Sequence, residues 1–467
     1  MANAITAPTY DPTSTATALA EKYTATAQTR ITNQSTQATA TAKALTSLGS
    51  AISAFQTSLA SLSGLNKSVL AQSATLSDTT IGSASAKPNA AAGTYSLFVQ
   101  QLASAGQVSY NGVADGAAAG GTLKVKLSDE SDPDAEAVSF DVDLAAANAD
   151  TDGDGKLSVR ELAAAINRAS GNAGQVSAGV VTIGSETRLV LTSKNTGVAN
   201  TVSLDASGVG DATLKSALGN RTMVTEAKDA IVLLGGENGT PIRQASNTFT
   251  NIDGVSVTFT RAQSAGDKPV TMTVASDASG TAANVQSFVD AYNKLKSAID
   301  TLAASGDSSG SSAGAFAHDA GVKAMQSRLV SLLRPGSGTS LASYGITANR
   351  DGTLALDTAR LNKQLAVDPS GLEELIGSSS ASNPSGVAGA LNTYLNQWTN
   401  STSGQIKQRT EANAKLQTEL TQRQADLDTQ YNSAYARYLK QFTELQTLQS
   451  TMNSNVSLFD ALFSSDD

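Results

Sequence analysis

The sequence predicts an α+β multidomain protein, with terminal helices forming an antiparallel helical or coiled-coil stalk and β-rich head domains inserted between them. Three observations predict it. Apolar residues recur every three or four positions near both ends, the middle of the chain alternates with a period of two, and the order is helix, sheet, helix.

The N-terminal seam is Leu45, Leu48, Ile52, Phe55, Leu59 and Leu62, with Ala38 and Ile31 continuing it in steps of seven. Such spacing fills the a and d positions of a coiled coil. Nearer residue 1 the seam is mostly Ala and Thr, and threonine has little helix drive. The first forty or so residues are therefore expected to order only against a partner. From residue 76 to 278 the period changes. "GTYSLFVQQLA", "TLKVKL", "VSFDVDL", "TFTNIDGVSVTFT" and "KPVTMTVASD" alternate, and residues 174–205 read as three strands with Gly, Ser and Asn turns. One helix interrupts them, "SVRELAAAINRAS", with Leu162, Ile166 and Ala169 on one face.

Helical periodicity returns after residue 278, with Val285, Phe288, Val289, Tyr292, Leu295 and Ile299 on one stripe. Val322, Met325, Leu329 and Leu332 form another, which Pro335 ends. A short hairpin is expected around Asp351-Gly352, and a surface loop at 377–388. The last stretch places Leu416, Leu420, Leu427, Tyr431, Ala434, Tyr438, Phe442, Leu445, Leu448 and Met452 on one face, with a slip between Tyr438 and Leu445. That predicts a helix of about 45 to 50 residues, whose seam needs a partner. Residues 1–44 with 415–467 thus read as terminal coiled-coil legs, and 45–75 with 279–414 as a helical stalk domain. Residues 76–109 with 225–278 read as a β-rich head domain, and 110–224 as an outer β-rich head domain.

Composition narrows the function. Net charge is −9 and no basic run is present, so the sequence offers no counter-charge for nucleic acid. No run of about 18 apolar residues is present for a membrane span. With no cysteine and a single histidine, His318, in a Ser/Gly/Ala-rich stretch, the commonest catalytic pairings are missing. No enzyme is expected. "MANAITAPTYDPTST" has neither a positive nor an apolar signal region, which leaves a cytoplasmic protein or one exported without a cleaved signal.

One stretch carries explicit ligand chemistry. In "DTDGDGKLSVRE", Asp150, Asp152 and Asp154 occupy positions 1, 3 and 5 of an EF-hand-like loop, and Gly155 sits at position 6. Lys156 would offer its carbonyl at 7, Ser158 its hydroxyl at 9 directly or through water, and Glu161 a bidentate carboxylate at 12. Leu157 is the apolar anchor. Calcium takes 6 to 8 hard oxygens, so the spacing suits it. The other reading is a solvated Asp/Gly turn that needs no ion. No amphipathic helix enters the loop and no second loop is present to pair with it, so a structural calcium is expected rather than a sensor.

Several segments resemble, in order, the flagellar hook-associated protein 2 family, the filament cap family known as FliD. They are "GTYSLFVQQLASAGQ" (93–107), "LAAAINRAS" (162–170), "RLVLTSKNTGVANTVSL" (188–204), "NTFTNIDGVSVTF" (247–259), "FVDAYNKL" (288–295), "YGITANRDGTLALDTARLNKQL" (344–365) and "YARYLKQFTELQTLQSTMNS" (435–454). The resemblance implies an extracellular, homo-oligomeric ring at the filament tip, often pentameric, under which exported flagellin folds and inserts. It also implies contacts with hook-filament junction proteins, passage through the flagellar type III apparatus and a cytoplasmic export chaperone. Leu458, Phe459, Leu462 and Phe463 depart from many members and read as a contact surface or a frayed tail. The competing reading is a calcium-stabilised extracellular adhesin or surface-layer module, and no site for host-surface adhesion is identifiable.

Overall fold

A computed structural model describes residues 11–132, 134, 136–306, 312–334 and 340–463, without the side chains of Ala146, Asp460 and Phe463. The residues expected at the N-terminal signal position before Asp11, the helix stop at Pro335, and the acidic end 464–467 lie outside the described residues. The chain divides into a helical unit, residues 1–69 with 281–467, and a β-rich unit, residues 70–280.

In the helical unit the first helix runs unbroken over Pro12–Ser63, 52 residues. Asp11 caps it, its carboxylate accepting from the Ser14 amide at 2.8 Å, and Pro12 stands at the first helical position where no donor is needed. The helix finds its partner within the same chain. The C-terminal helix, Gln405–Phe463, is 59 residues long, longer than the 45 to 50 expected, because helix begins directly after Gly404 and the slip at Tyr438 does not break it. The two are antiparallel: Asn413 Nδ2 donates to the Ala38 carbonyl at 2.9 Å, and the amides of Gln28 and Gln424 bond reciprocally at 3.0 and 2.9 Å. Leu45, Leu48, Ile52, Phe55 and Leu59 are buried as the spacing predicts. Phe55 meets Phe288 and Tyr292 of helix Ala278–Ala303, with ring centroids 6.5 and 6.4 Å away.

The hairpin of Ile346–Ala348 and Leu354–Leu356 turns at Gly352, whose φ of +82° suits glycine. Asn293 holds it to the helix: its amide donates to the Leu354 carbonyl at 2.8 Å and accepts from the Leu354 amide at 2.7 Å. The expected surface loop at 377–388 is tied down in part. Ser379 is buried, and its amide donates to the Ser63 carbonyl at 2.8 Å, satisfying one of the open carbonyls at the end of the first helix.

The β-rich unit has two apolar cores. The inner one lies between a five-stranded and a three-stranded sheet. The first sheet orders Ala71–Leu76, Val270–Asp277, Gly93–Gln101, Ala230–Leu234 and Thr240–Gln244; the second orders Thr248–Phe249, Val255–Phe259 and Gly82–Ala86. Residues 71–75, read from sequence with the helical stalk, thus form an edge strand of this sheet, paired antiparallel with 273–277. The sequence pattern also passed over Ala230–Leu234. Its run Ala230–Leu233 is buried on both faces, Val232 in the sandwich and Ile231 and Leu233 against Phe98, so it shows no alternation.

The outer core spans Val108 to Leu218. One sheet orders Arg221–Thr225, Ala105–Tyr110, Glu186–Thr196 and Val176–Ile183, and another Thr201–Asp205, Thr122–Ser128 and Val138–Asp143. Helix Val159–Arg168 packs its Leu162, Ala163, Ala165 and Ile166 into this core.

Candidate functional site

Two features carry the functional question: the long terminal helices and the loop from Asp150 to Glu161. Along the helix pair the seam is thin. The first helix buries Ala16, Ala20, Thr24, Ile31 and Ala38, and the C-terminal helix answers with Leu420, Leu427 and Ala434. Small residues let two backbones approach, at the cost of little apolar area. The pairings at 28 and 38 bring Pro12 level with about residue 440. Beyond that level the C-terminal helix exposes Leu445, Leu448, Met452, Leu458, Phe459 and Leu462, so the later part of the expected seam lies on the surface of this chain. The Phe463 side chain lies outside the described residues. At the other end of the pair, Arg409 bonds to Asp319 at 2.6 Å and lies over the Trp398 ring, 5.1 Å from its centre. Among the described residues no helix is long and apolar enough to cross a membrane, and His318 is exposed.

The loop follows strand Val138–Asp143 and a four-residue helix, Ala146–Ala149. Gly153 and Gly155 have φ of +79° and +76°, which tightens the loop until three carboxylates converge. One oxygen from each of Asp150, Asp152 and Asp154 lies within 4.8 Å of the others. Asp150 accepts from the Gly153 and Gly155 amides, both at 2.7 Å; Asp154 accepts from the Lys156 amide at 2.8 Å. Partial desolvation of Asp150 is outweighed by the Gly155 and Gly153 amides, so its pKa lies below the ordinary value. Asp152 goes the other way. The Asp154 amide favours its charge, but desolvation and the carboxylates of Asp154 and Glu161 raise its pKa.

Lys156 and Leu157 form a two-residue strand, paired with Ala117–Ala118. The Ala119 amide donates to Gly155 and the Gly116 amide to Leu157, so alternation along the strand turns the Lys156 carbonyl to the other side. Spacing within the loop gave no sign of this support, which comes from some 40 residues upstream and about 50 residues downstream. Asp115 belongs to it, accepting from the Val159 amide at 2.9 Å, as does Asp211, which accepts from the Ala118 amide at 3.0 Å.

Ser158 and Glu161 are engaged with each other. Ser158 is the N-cap of helix Val159–Arg168, and its side chain accepts from the Glu161 amide at 3.2 Å. Glu161 completes the capping box, accepting from the Ser158 amide and hydroxyl at 3.0 and 2.9 Å. Its other oxygen accepts from the Thr151 amide and hydroxyl at 2.7 and 2.8 Å and from the Asp152 amide at 3.3 Å. Led by the Ser158 amide, these donors hold the Glu161 carboxyl down at about 2. A carboxylate offers about four lone-pair sites, so Glu161 is saturated by the protein's own donors. The six predicted ligands therefore fall into two sets. Asp150, Asp152 and Asp154 bring their carboxylates together as they stand, and the strand pairing leaves the Lys156 carbonyl unused, whereas Ser158 and Glu161 bond each other.

A helical unit closed by its own terminal helices, with a β-rich unit inserted in its sequence, defines a two-unit α+β protein. Models for the flagellar hook-associated protein 2 N-terminus and C-terminus match residues 9–106 and 227–454. The chain is 31% identical over 379 residues to the lateral flagellar hook-associated protein 2 of Vibrio parahaemolyticus, covering 80% of this chain and 82% of that protein. It is 32% identical over 437 residues to the B-type flagellar hook-associated protein 2 of Pseudomonas aeruginosa, covering 87% and 86%. The crystal structure of the D1-D2-D3 domains of the flagellar cap protein FliD from Escherichia coli covers 79% of this chain and 99% of its own, with a TM-score of 0.59 at 26% identity. The chain belongs to the flagellar hook-associated protein 2 family. Its Asp150–Glu161 loop lies between the two matched segments.

Proposed function

We propose that this chain is the structural cap of a flagellar filament, oligomerising at the tip and promoting the folding and insertion of exported flagellin. The observation that carries this reading is the pairing of terminal helices from opposite ends of the sequence, in a chain that aligns with the Escherichia coli cap protein over 79% of its length. An adhesin or surface-layer module has little use for such a pair, and that alternative is not favoured. The test is genetic. A strain lacking this chain should release flagellin monomers into the medium and build no filaments, and the intact gene should restore them. Normal filaments in the deletion strain would overturn the reading.

The finer reading is a ring of five subunits. The chain would reach the cell exterior through the flagellar type III apparatus with an export chaperone, and would meet flagellin and the hook-filament junction proteins there. The exposed apolar stripe from Leu445 to Leu462 supports further helix contacts. Electron microscopy of the purified chain should show closed rings of five; monomers alone would remove the ring from the proposal.

The loop is read as a structural calcium site held by Asp150, Asp152, Asp154 and the Lys156 carbonyl, with Ser158 and Glu161 joining when their capping bonds are exchanged. Calcium supplies charge there that offsets repulsion among the carboxylates. Binding is expected at about 10⁻⁴ to 10⁻³ M, as in extracellular modules. Calorimetry of the full chain should show heat at millimolar calcium and loss of that heat in Asp152→Asn. No heat from the parent protein would dismiss the ion and leave a capped turn.

A further inference from the structure

Strand Val176–Ile183 closes one edge of the four-stranded outer sheet, pairing with Glu186–Thr196 on one side only. Its other side is guarded over half its length. Asn172 bonds the amide and carbonyl of Val176, both at 2.9 Å, and Asn167 bonds those of Ala178 at 2.8 and 2.7 Å. Each side-chain amide thus stands where a neighbouring strand would. Backbone groups alternate along a strand, so the next outward-facing residues are Val180 and Thr182. Their two amides and two carbonyls have no partner among the described residues.

Edge strands are commonly blunted by a lysine, a proline or a bulge. This one has none: residues 176–185, VSAGVVTIGS, carry no charge and no proline, and their ladder runs without a bulge. Val181 and Ile183 are 45% and 57% exposed. The opposite edge, Arg221–Thr225, is exposed as well, but its register breaks between Met223 and Thr225. The free half of Val176–Ile183 is complementary to itself. Laid antiparallel about Val181, two copies pair Val180 with Thr182 in both directions, which satisfies all four outward groups of each copy. On the exposed face Val181 meets its counterpart, and Ile183 falls beside Gly179 of the second copy, where a Cβ would meet open space. A twofold axis brings each residue near its own counterpart, so any charge there would repel, and none is present. Asn167, seated on Ala178, ends the pairing on both sides. We propose that residues 179–183 of two copies of this chain pair as antiparallel strands about a twofold axis, each adding a strand to the other's sheet. The contact joins copies in pairs and needs no ring, so it and the ring of five fail separately.

The chain has no cysteine, so one engineered thiol reports the contact. In this register Val181 faces its counterpart in a non-hydrogen-bonded pair, with Cα atoms about 4.5 Å apart, inside the span of about 4.4 to 6.8 Å that a disulfide bridges. The full chain carrying Val181→Cys, oxidised with glutathione disulfide, should form a covalent dimer of doubled mass that a reductant reverses. Ser177 is exposed on the same face, four residues from the axis, which places it about 26 Å from its counterpart. Ser177→Cys should therefore give no dimer. Adding Ile183→Lys to Val181→Cys should cut the dimer at least tenfold while Tm stays at the parent value, because Ile183 is exposed in the single chain. Thr182→Pro, which removes one outward donor and no ladder bond, is the second disrupting change. Absence of dimer from Val181→Cys, equal dimer from Ser177→Cys, or dimer that survives both disrupting changes overturns the pairing.

Discussion

The helical and β-rich units hold themselves together by different means. In the helical unit long helices satisfy their own backbone groups, so the seams between them can be apolar and simple. In the β-rich unit the chain leaves its strands through irregular turns, and buried backbone groups there need side chains as partners. Asn172 is 2% exposed and bonds three backbone groups: the carbonyls of Ile166 and Val176 and the amide of Val176. Asn247 does the same for both backbone groups of Ala103, and Glu161 for the turn at Thr151 and Asp152. The helical unit uses the same device where its chain leaves helix: Asn293 serves the hairpin at Leu354, Asn392 the Ser379 carbonyl and Asn284 the Val69 carbonyl. Apolar seams resist through area; polar hubs resist through geometry.

Four substitutions or conditions test this contrast. Phe55→Ala, at the centre of the helical core, should cost about 3 to 5 kcal/mol in denaturant unfolding of the full chain. A loss below about 1 kcal/mol would mean that the seam is not the main support. Leu427→Ala lies in the thin part of the helix pair, 5% exposed, and should cost about 2 to 3 kcal/mol. Hydrogen exchange should speed up over residues 12–38 while 45–59 keep their protection; equal loss along the helix would show that its two halves are one cooperative unit. In the β-rich unit, Asn172→Leu removes three bonds and leaves buried backbone groups unmatched, for a cost of about 1 to 3 kcal/mol. A neutral result would place packing above hydrogen bonding there too.

The smallest effect is a pH dependence. Glu161 has a pKa of about 2 in the folded chain, below its ordinary 4.5. Its contribution to stability is therefore present above about pH 4.5 and is lost as pH falls towards 2. The difference in Tm between the parent and Glu161→Gln should shrink over that window and stay constant between pH 6 and 8. A difference that does not change below pH 4.5 would show that the carboxylate charge is not what the hub uses.

How much was legible follows from the same contrast. The seam from Leu45 to Leu59 and the stripe from Val285 to Ile299 were read residue by residue, because helix contacts repeat along one segment. The Ala/Thr stretch at 12–38 was expected to order only against a partner, and that partner is the C-terminal helix of the same chain. Its burial depends on Leu420, Leu427 and Ala434, almost 400 residues away. In the loop, the ligand spacing announced the convergence of Asp150, Asp152 and Asp154. It did not announce Thr151, whose amide and hydroxyl occupy Glu161, nor the strand Ala117–Ala118 behind Lys156.

The sequence alone determined the kind of element over most of the chain: helical ends, an alternating middle, a tight acidic turn with glycines where the backbone needs them. These depend on residues within one or two turns of each other. Only the tertiary structure decided which strands lie side by side, that 71–76 borders 270–277 and that 230–233 is covered on both faces. It also decided that Glu161 is a capped and saturated group in this conformation. Pairing of strands, and the donors that surround a buried carboxylate, are set by residues far apart in the chain, and local periodicity carries no record of them.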